Sequence, residues 1–457
     1  MAMRSRAAAA LVMALGATLV RVGAASADPQ RVAPIRVVSI EECAALALSH
    51  DAGLRSDELE SAAANARLTE MKDQYIPSVS IQAGCSRLSD VSPGSISVNT
   101  GFGPPVTATF PASPLNSTVM RLSLQQPVFT GLRISSSIRQ ADAARTAAAS
   151  DVQRTRAEVG LAARSAFWQL ARAKCLEAAA REGQAQLERK LAETTTFFSE
   201  GVATNNDVLQ AGSLLEDARM EVVRAASARE LARVQLAQLI GLSLTDPLDV
   251  AEVASAVPEA VDLSGPALEG LVTRALAARP ELAGARSRVE AQEAAADAVR
   301  AGRLPSIVLT GDYTLANPNP RVQPPQDEFT GTWSVGVMAS FDVGRYPQAS
   351  AQEEQARDRA AEAREMLGRQ SEAVAAEVVR AAISLGAAVS GWESLAAQSR
   401  QADDNARYMD ERFRQGLVLQ TAQLDAQSLL RRARLRQQAG LIDCLAARAA
   451  LDHALGD

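Results

Sequence analysis

No proline falls between Pro127 and Pro247, and none follows Pro347. Proline breaks helix interiors, so both tracts are free to run as almost uninterrupted helix. They are rich in Ala, Arg, Glu, Gln and Leu, the better helix formers. The stretch from about Arg133 to Phe198 would extend for roughly 100 Å at about 1.5 Å per residue. A globular domain has no use for such a rod, so it must pack lengthwise on similar rods. Leu187, Leu191, Thr194 and Phe198 recur at coiled-coil spacing, and Ala211, Leu215, Ala218, Val222 and Ala225 continue it on a returning helix. Ala426, Leu430 and Ala433 repeat the pattern later.

That second occurrence belongs to a duplication of the whole chain, which has to be recognised before any fold is assigned. Ala47-Leu48, Leu54, Ala66 and Ile76-Pro77-Ser78 align without a gap on Ala275-Leu276, Leu282, Ala294 and Leu304-Pro305-Ser306. Phe129 and Arg133 align on Phe341 and Arg345, and the segment Gln210–Arg219 aligns on Asp425–Arg434. Phe198 and Gly201 fall on Phe413 and Gly416 at that same offset. The expected divisions are a first repeat over residues 28–242, a linker over 243–263 and a second repeat over 264–457.

Most prolines and aromatics lie instead in 77–127 and 305–347. A helix is expected from Ile40 to Tyr75, ended by Pro77. Apolar and polar residues then alternate over about 78–88 and 118–129, separated by a Gly/Pro/Ser/Asn-rich loop at 89–117, and Pro127 marks a bulge or a strand end. The second half alternates over about 306–315 and 331–342. There Trp333, Val335, Val337 and Phe341 form an apolar row opposite Ser334, Gly336, Met338 and Ser340. Alternation at this length fits a tilted membrane strand and a surface hairpin with one buried face equally.

Arg4 and Arg6, the apolar run Ala7 to Val20 and the small-residue site Ala25-Ser26-Ala27 predict a secretory leader over residues 1–27. The formal charge of −6 still includes the leader's arginines, so the mature chain is more acidic, and a nucleic-acid partner is excluded. No continuous apolar run in the mature chain is long enough for a membrane-spanning helix. Cys43, Cys85, Cys175 and Cys444 are dispersed, specify no disulfide and read as buried thiols. His50 and His453, the only histidines, read as surface residues near helix ends. No catalytic, cofactor-binding or metal-ligating constellation is present.

These features together resemble the TolC family of outer-membrane efflux proteins over nearly the whole mature chain. The residues that carry the resemblance are the entry helices ending in Pro77-Ser78 and Pro305-Ser306, and the strand ends Pro127–Gly131 and Phe341–Arg345. The turn segments Gly201–Leu209 and Gly416–Thr421 complete them. The resemblance implies a homotrimer whose subunits each give four strands to one twelve-stranded outer-membrane β-barrel, continued by a long periplasmic α-helical barrel. An open sheet edge is not tolerated in lipid, so four membrane strands demand oligomerisation on physical grounds too.

The implied activity is a passive exit duct of a tripartite efflux or type I secretion system, working with a periplasmic adaptor and an inner-membrane pump. The competing reading, a periplasmic coiled-coil adaptor, predicts one helical hairpin inside a β-rich domain rather than two hairpins with two strand pairs. By resemblance, Gly201, Val202, Thr204, Gly416, Leu417 and Leu419 are docking tips for an adaptor, and Asp425 and Asp207 are gate acids. The chain departs from the family at Ala422, where an acidic residue is common. Trp333, Val335, Val337 and Phe341 are the lipid-facing positions.

Overall fold

The computed structural model describes residues 36–89, 94–98, 101–109, 115–251, 256–323, 326–415, 417–418 and 420–456. The expected leader, together with Gly416 and Leu419, lies outside these residues.

The first repeat begins with β1 (Arg36–Val38), α1 (Ile40–His50) and α2 (Ala52–Asp73). The single helix expected from Ile40 to Tyr75 is therefore two, because Asp51 adopts extended backbone at φ −61°, ψ 122°. Its N–H donates to the Ala47 carbonyl at 2.9 Å, closing α1. Its side chain accepts from the Leu54 N–H at 2.6 Å, opening α2. Next come β2 (Ser78–Arg87), the hairpin β3 (Ser95–Val98) and β4 (Val106–Thr109), and β5 (Asn116–Phe129). The long helices α3 (Arg133–Ser199) and α4 (Asn205–Leu239) follow. Gly131, at φ 62°, turns the chain from β5 into α3, and a Cβ there would lie 2.7 Å from the Ala301 carbonyl.

Then β6 (Leu248–Val250) pairs in parallel with β1, so the expected linker contains a strand that buries Leu248 and Val250. The second repeat runs α5 (Gly265–Ala278), α6 (Pro280–Arg300), β7 (Ser306–Asn317), β8 (Thr330–Ser340), α7 (Tyr346–Arg414) and α8 (Gln420–Leu455). Arg279 sits between α5 and α6 at φ −66°, ψ 123°, and its N–H donates to the Ala275 carbonyl at 3.0 Å. In sequence, Arg279 and Ala275 are the repeat mates of Asp51 and Ala47, so the duplication extends to backbone geometry.

Strands β2, β5, β7 and β8 form one antiparallel sheet in that order. The register shifts between Pro127 and Phe129, a bulge at the proline that cannot donate to the ladder. The helices form a layer with matching order. Nearest the sheet, α2 packs on α3, α3 on α6 and α6 on α7; further away the order is α4, α3, α8, α7. Since β2 follows α2 and β8 precedes α7, sheet and helix layer end on the same two sides.

Two cores form, largely one to each repeat, with Ile442 of α8 packed into the first. The first gathers Val38, Cys43, Phe167, Leu170, Leu236, Ile240 and Val250. The second gathers Leu282, Val374, Val378, Leu385, Cys444 and Leu451. One window of α7 is apolar enough by length and composition to cross a membrane, although it is not an uninterrupted apolar run. Packing accounts for part of that apolarity, because Val374, Val378, Ala382, Leu385 and Val389 of α7 are buried against α5 and α8 while most of the window is not buried.

Two thiols also depart from expectation. Cys85 is exposed on β2 and Cys175 is half-buried, whereas Cys43 and Cys444 are buried. Burial first, and Glu42 second, push the Cys43 thiol up to about 11.

Candidate functional site

The strand register sorts the sheet into two chemically distinct faces. Ile81, Leu122, Tyr313 and Trp333 lie side by side across the four strands, and the next row on that face is Val79, Leu124, Gly311 and Val335. The opposite face carries Ser80, Ser123, Asp312 and Ser334, then Gln82, Arg121, Thr314 and Thr332. On the apolar face Trp333, Val335 and Val337 are 72%, 69% and 71% exposed, and Phe341, just beyond β8, is 55% exposed. Water would disfavour so large an uncovered apolar surface. On the polar face the Ser123 hydroxyl donates to Asp312 at 2.6 Å.

At the far end of α3 the chain reverses through Gly201, at φ 77°. The Val202 N–H donates to the Phe197 carbonyl at 2.8 Å and the Gly201 N–H to Phe198 at 3.1 Å, the paired bonds of a Schellman ending. At the end of α7 the Leu417 N–H donates to the Arg412 carbonyl at 2.9 Å, the repeat of the Val202 bond. Val202 and Leu417 are both exposed. Thr204 opens α4 through a reciprocal capping box: the Asp207 N–H donates to its hydroxyl oxygen, and its own N–H donates to the Asp207 carboxylate at 2.8 Å. Those bonds from Thr204 hold the Asp207 carboxyl below the usual carboxylate range.

Asp425 lies in the second turn of α8, half-buried, where it accepts from Gln186 of α3 at 3.2 Å. It belongs to a polar seam between α3 and α8. Arg431 donates to Glu182 at 2.7 Å, Arg189 donates to Ser428 at 2.5 Å, and Arg432 donates to the Gln186 oxygen. Burial acts to raise the Glu182 carboxyl, but the hydrogen bond and charge of Arg431 outweigh it and hold it low. Burial first, then Arg436, lowers the Arg432 guanidinium. The two candidate gate acids thus engage different partners, Asp207 within its own turn and Asp425 across a helix seam.

Sequence reasoning missed three buried charge clusters, one of which joins Glu353 of α7 to Arg303 and to Arg357. Glu177 of α3 accepts from Arg181 at 2.5 Å and from Arg229 of α4 at 3.2 Å, tying the hairpin together. Arg279 donates to Glu377 at 2.5 Å and to the His453 carbonyl at 2.9 Å, and its Nε lies 2.8 Å from Glu281. His453 is therefore half-buried in a cleft rather than a surface residue, and burial first, then Arg279, lowers its pKa. The sequence carried no signal for these clusters, since a charge on a helix or at a helix junction usually faces solvent.

No curated protein sequence matches the chain. Solved structures match it along most of its length. The outer-membrane channel OprN superposes with a TM-score of 0.71 at 21% identity, over 91% of this chain and 89% of that one. The Campylobacter jejuni outer membrane channel CmeC gives 0.71 at 16% identity, over 91% and 85%. The open state of the Neisseria gonorrhoeae outer membrane channel MtrE gives 0.63 at 19%, over 91% and 88%. At these identities the likeness establishes the fold alone. The sequence profile described as outer membrane efflux protein matches residues 44–242 and 271–457, one segment in each repeat. A two-faced strand sheet continued by a layer of long helices, matched by that profile across both repeats, makes this chain a member of the outer membrane efflux protein family, an exit duct through the outer membrane.

Proposed function

We propose that three copies of the chain close into one continuous duct, with β8 and α7 of each copy meeting β2, α2 and α4 of the next. One observation carries the reading: the sheet and the helix layer end on the same two sides, and the sheet is apolar on one face and polar on the other. A four-stranded sheet cannot close on itself, and open edges are not tolerated in lipid. Closure by three copies supplies the one missing neighbour at each edge and turns the apolar faces outward. Trp333, Val335, Val337 and Phe341 then contact lipid, and the helices carry the lumen into the periplasm.

The turns at the far end meet a periplasmic adaptor coupled to an inner-membrane pump. Exposed Val202 and Leu417, with Gly201, Thr204, Gly416 and Leu419 beside them in sequence, form the docking tips. Drug efflux and polypeptide secretion use the same kind of duct, the cargo being selected by the pump. Asp425 lines the neck behind the second turn. Threefold symmetry gathers its carboxylates near the axis, where a narrow passage strengthens their field and favours cations. Asp207, bound in its capping box, contributes charge at the rim.

The test is extraction from outer membranes followed by planar-bilayer recording. Wild-type protein is expected to run as a trimer in detergent and to form cation-preferring pores; a soluble periplasmic monomer would overturn the duct. Asp425→Ala is expected to lower cation preference and weaken block by trivalent cations. Gln186→Ala, which loosens the seam but keeps the acid, is expected to retain both. Unchanged selectivity and block in Asp425→Ala would remove Asp425 from the neck. Gly416→Trp should leave trimers intact yet abolish export, and normal export in that variant would remove the docking role.

A further inference from the structure

The barrel strands are almost free of charge. Within β2, β5, β7 and β8 the only ionisable acid or base side chains besides tyrosine and cysteine are Arg87, Arg121 and Asp312. Arg87 ends β2 in the register of the apolar face. Arg121 and Asp312 share the polar face in adjacent rows, and Asp312 is already bonded by Ser123. The neutral hydroxyl leaves Asp312 its charge, so the two strand charges on this face offset each other, and Arg121 is exposed.

A second arginine is brought to it by the chain that leaves β7. The sequence Asn317-Pro318-Asn319-Pro320-Arg321 folds back over the sheet, and Asn319, only 2% exposed, holds it there. The Asn319 amide donates to the Thr330 carbonyl at 2.8 Å and to the Thr332 hydroxyl at 3.3 Å. Its side-chain oxygen accepts from the Arg321 N–H at 3.0 Å, an Asx turn, and its carbonyl accepts from the Val322 N–H at 3.0 Å. Thr332 belongs to the polar face, and Ala316 on that face is fully buried, so the fold-back covers the polar side. Arg321 donates to the Trp333 carbonyl at 3.1 Å. A cleft of about 230 Å³ separates the fold-back from the strands, lined by Arg121, Asp312, Thr314, Asn319, Arg321 and Ser334.

We propose that Arg121 and Arg321 form a positively charged ring in the outer part of the barrel lumen that favours the exit of anionic solutes. The inference rests on the trimeric barrel proposed above, in which the polar face lines the lumen. In the cleft each copy then presents two arginines against one carboxylate, with Asp327 and Glu328 exposed further along the same connection, and three copies surround a passage that the fold-back narrows. A ring of cationic side chains around a narrow pore selects for anions, because low-dielectric walls concentrate its field on the passing ion. The solute class expected to gain is small carboxylates and phosphates and larger molecules bearing them. A cation-preferring neck and an anion-preferring mouth would then act in series.

The experiment is a reversal-potential measurement on the full-length protein in planar bilayers under a potassium chloride gradient. Because the two constrictions act in series, the reading is the change between variants. Arg121→Gln with Arg321→Gln is expected to lower the chloride-to-potassium permeability ratio by at least about twofold. Arg321→Cys in a Cys85→Ser, Cys175→Ser background tests the same point without relying on the double variant. Modification by a negatively charged thiosulfonate should lower the ratio, and a positively charged one should restore it. Pores of wild-type conductance whose ratio responds to neither set of changes would overturn the ring while leaving the duct standing. Absence of any pore from the wild type would instead remove the duct, and the ring with it.

Discussion

Asp51 and Arg279 stand at the same point of the two repeats and adopt nearly the same backbone, at φ −61°, ψ 122° and φ −66°, ψ 123°. Both end one helix by donating to a carbonyl four residues back, and both begin the next. They differ in how the new helix's first N–H groups are served. Asp51 does it locally, accepting from Leu54. The Arg279 side chain has no acceptor to offer; the residue's carbonyl accepts from the Leu282 N–H at 3.2 Å instead, and the following residue is Pro280, whose missing N–H removes one of the orphan donors. Its guanidinium reaches outward to Glu281, Glu377 and the His453 carbonyl, joining α5, α6, α7 and α8. The two copies thus share the bend, but one uses it as a local cap and the other as a tertiary tie.

If that distinction holds, the two positions must fail differently. Arg279→Ala should have the largest effect, about 2 kcal/mol after allowing for the exposure of Glu377. It should speed hydrogen exchange in α6, in α7 around Glu377 and at the end of α8 together. Its second readout is His453. Burial and Arg279 depress that imidazole, so the folded side chain takes up its proton at lower pH than the unfolded one. The associated stability is present above the ordinary histidine range and is lost as the pH falls through that range towards the depressed value. Removing Arg279 should raise the His453 pKa, as measured by NMR titration, and narrow the window. An unmoved His453 would show that the tie is not electrostatic.

Asp51→Ala should cost less, about 1 kcal/mol, with faster exchange confined to the first turn of α2 and largely corrected by Asp51→Asn. Exchange spreading into α3 would break the contrast, because it would make Asp51 a tie as well. Pro280→Ala should have the smallest effect, within about 0.5 kcal/mol, and should leave Arg279's ion pairs in place. A loss as large as that of Arg279→Ala would mean that the proline, not the arginine, fixes the bend.

The same bend marks where the sequence could be read and where it could not. Strand alternation around Leu122 and Val335, the proline-free tracts and the reversal at Gly201 are local patterns, and the structure has strands, rods and a turn at those places. The break at Asp51 was hidden because Ala47 and Leu54 keep helical spacing across it. The pairing of β1 with β6 was invisible because each strand is only three residues long, and its partner lies some two hundred residues away. Asp425 was legible as an acid near a turn, but not as a partner of Gln186, since that contact depends on how α8 registers against α3. Asn319 falls between the two alternating stretches of the second half, where no local pattern marks it. Its role depends on the polar face beneath it, which only the strand register reveals.

The two unclosed sides have a genetic consequence. If every ring needs three intact copies, a variant that still joins the ring but fails in it spoils the assemblies it enters. With equal expression of both forms and random mixing, only about one ring in eight would be wholly wild type. Defects at Asp425 or at the Gly416 turn, which leave the edges intact, are therefore expected to be dominant. A change in β8 that prevents edge pairing removes its own product from the pool and should be recessive. Dominance in a strain carrying both alleles would thus separate residues that work inside the finished ring from those needed to build it.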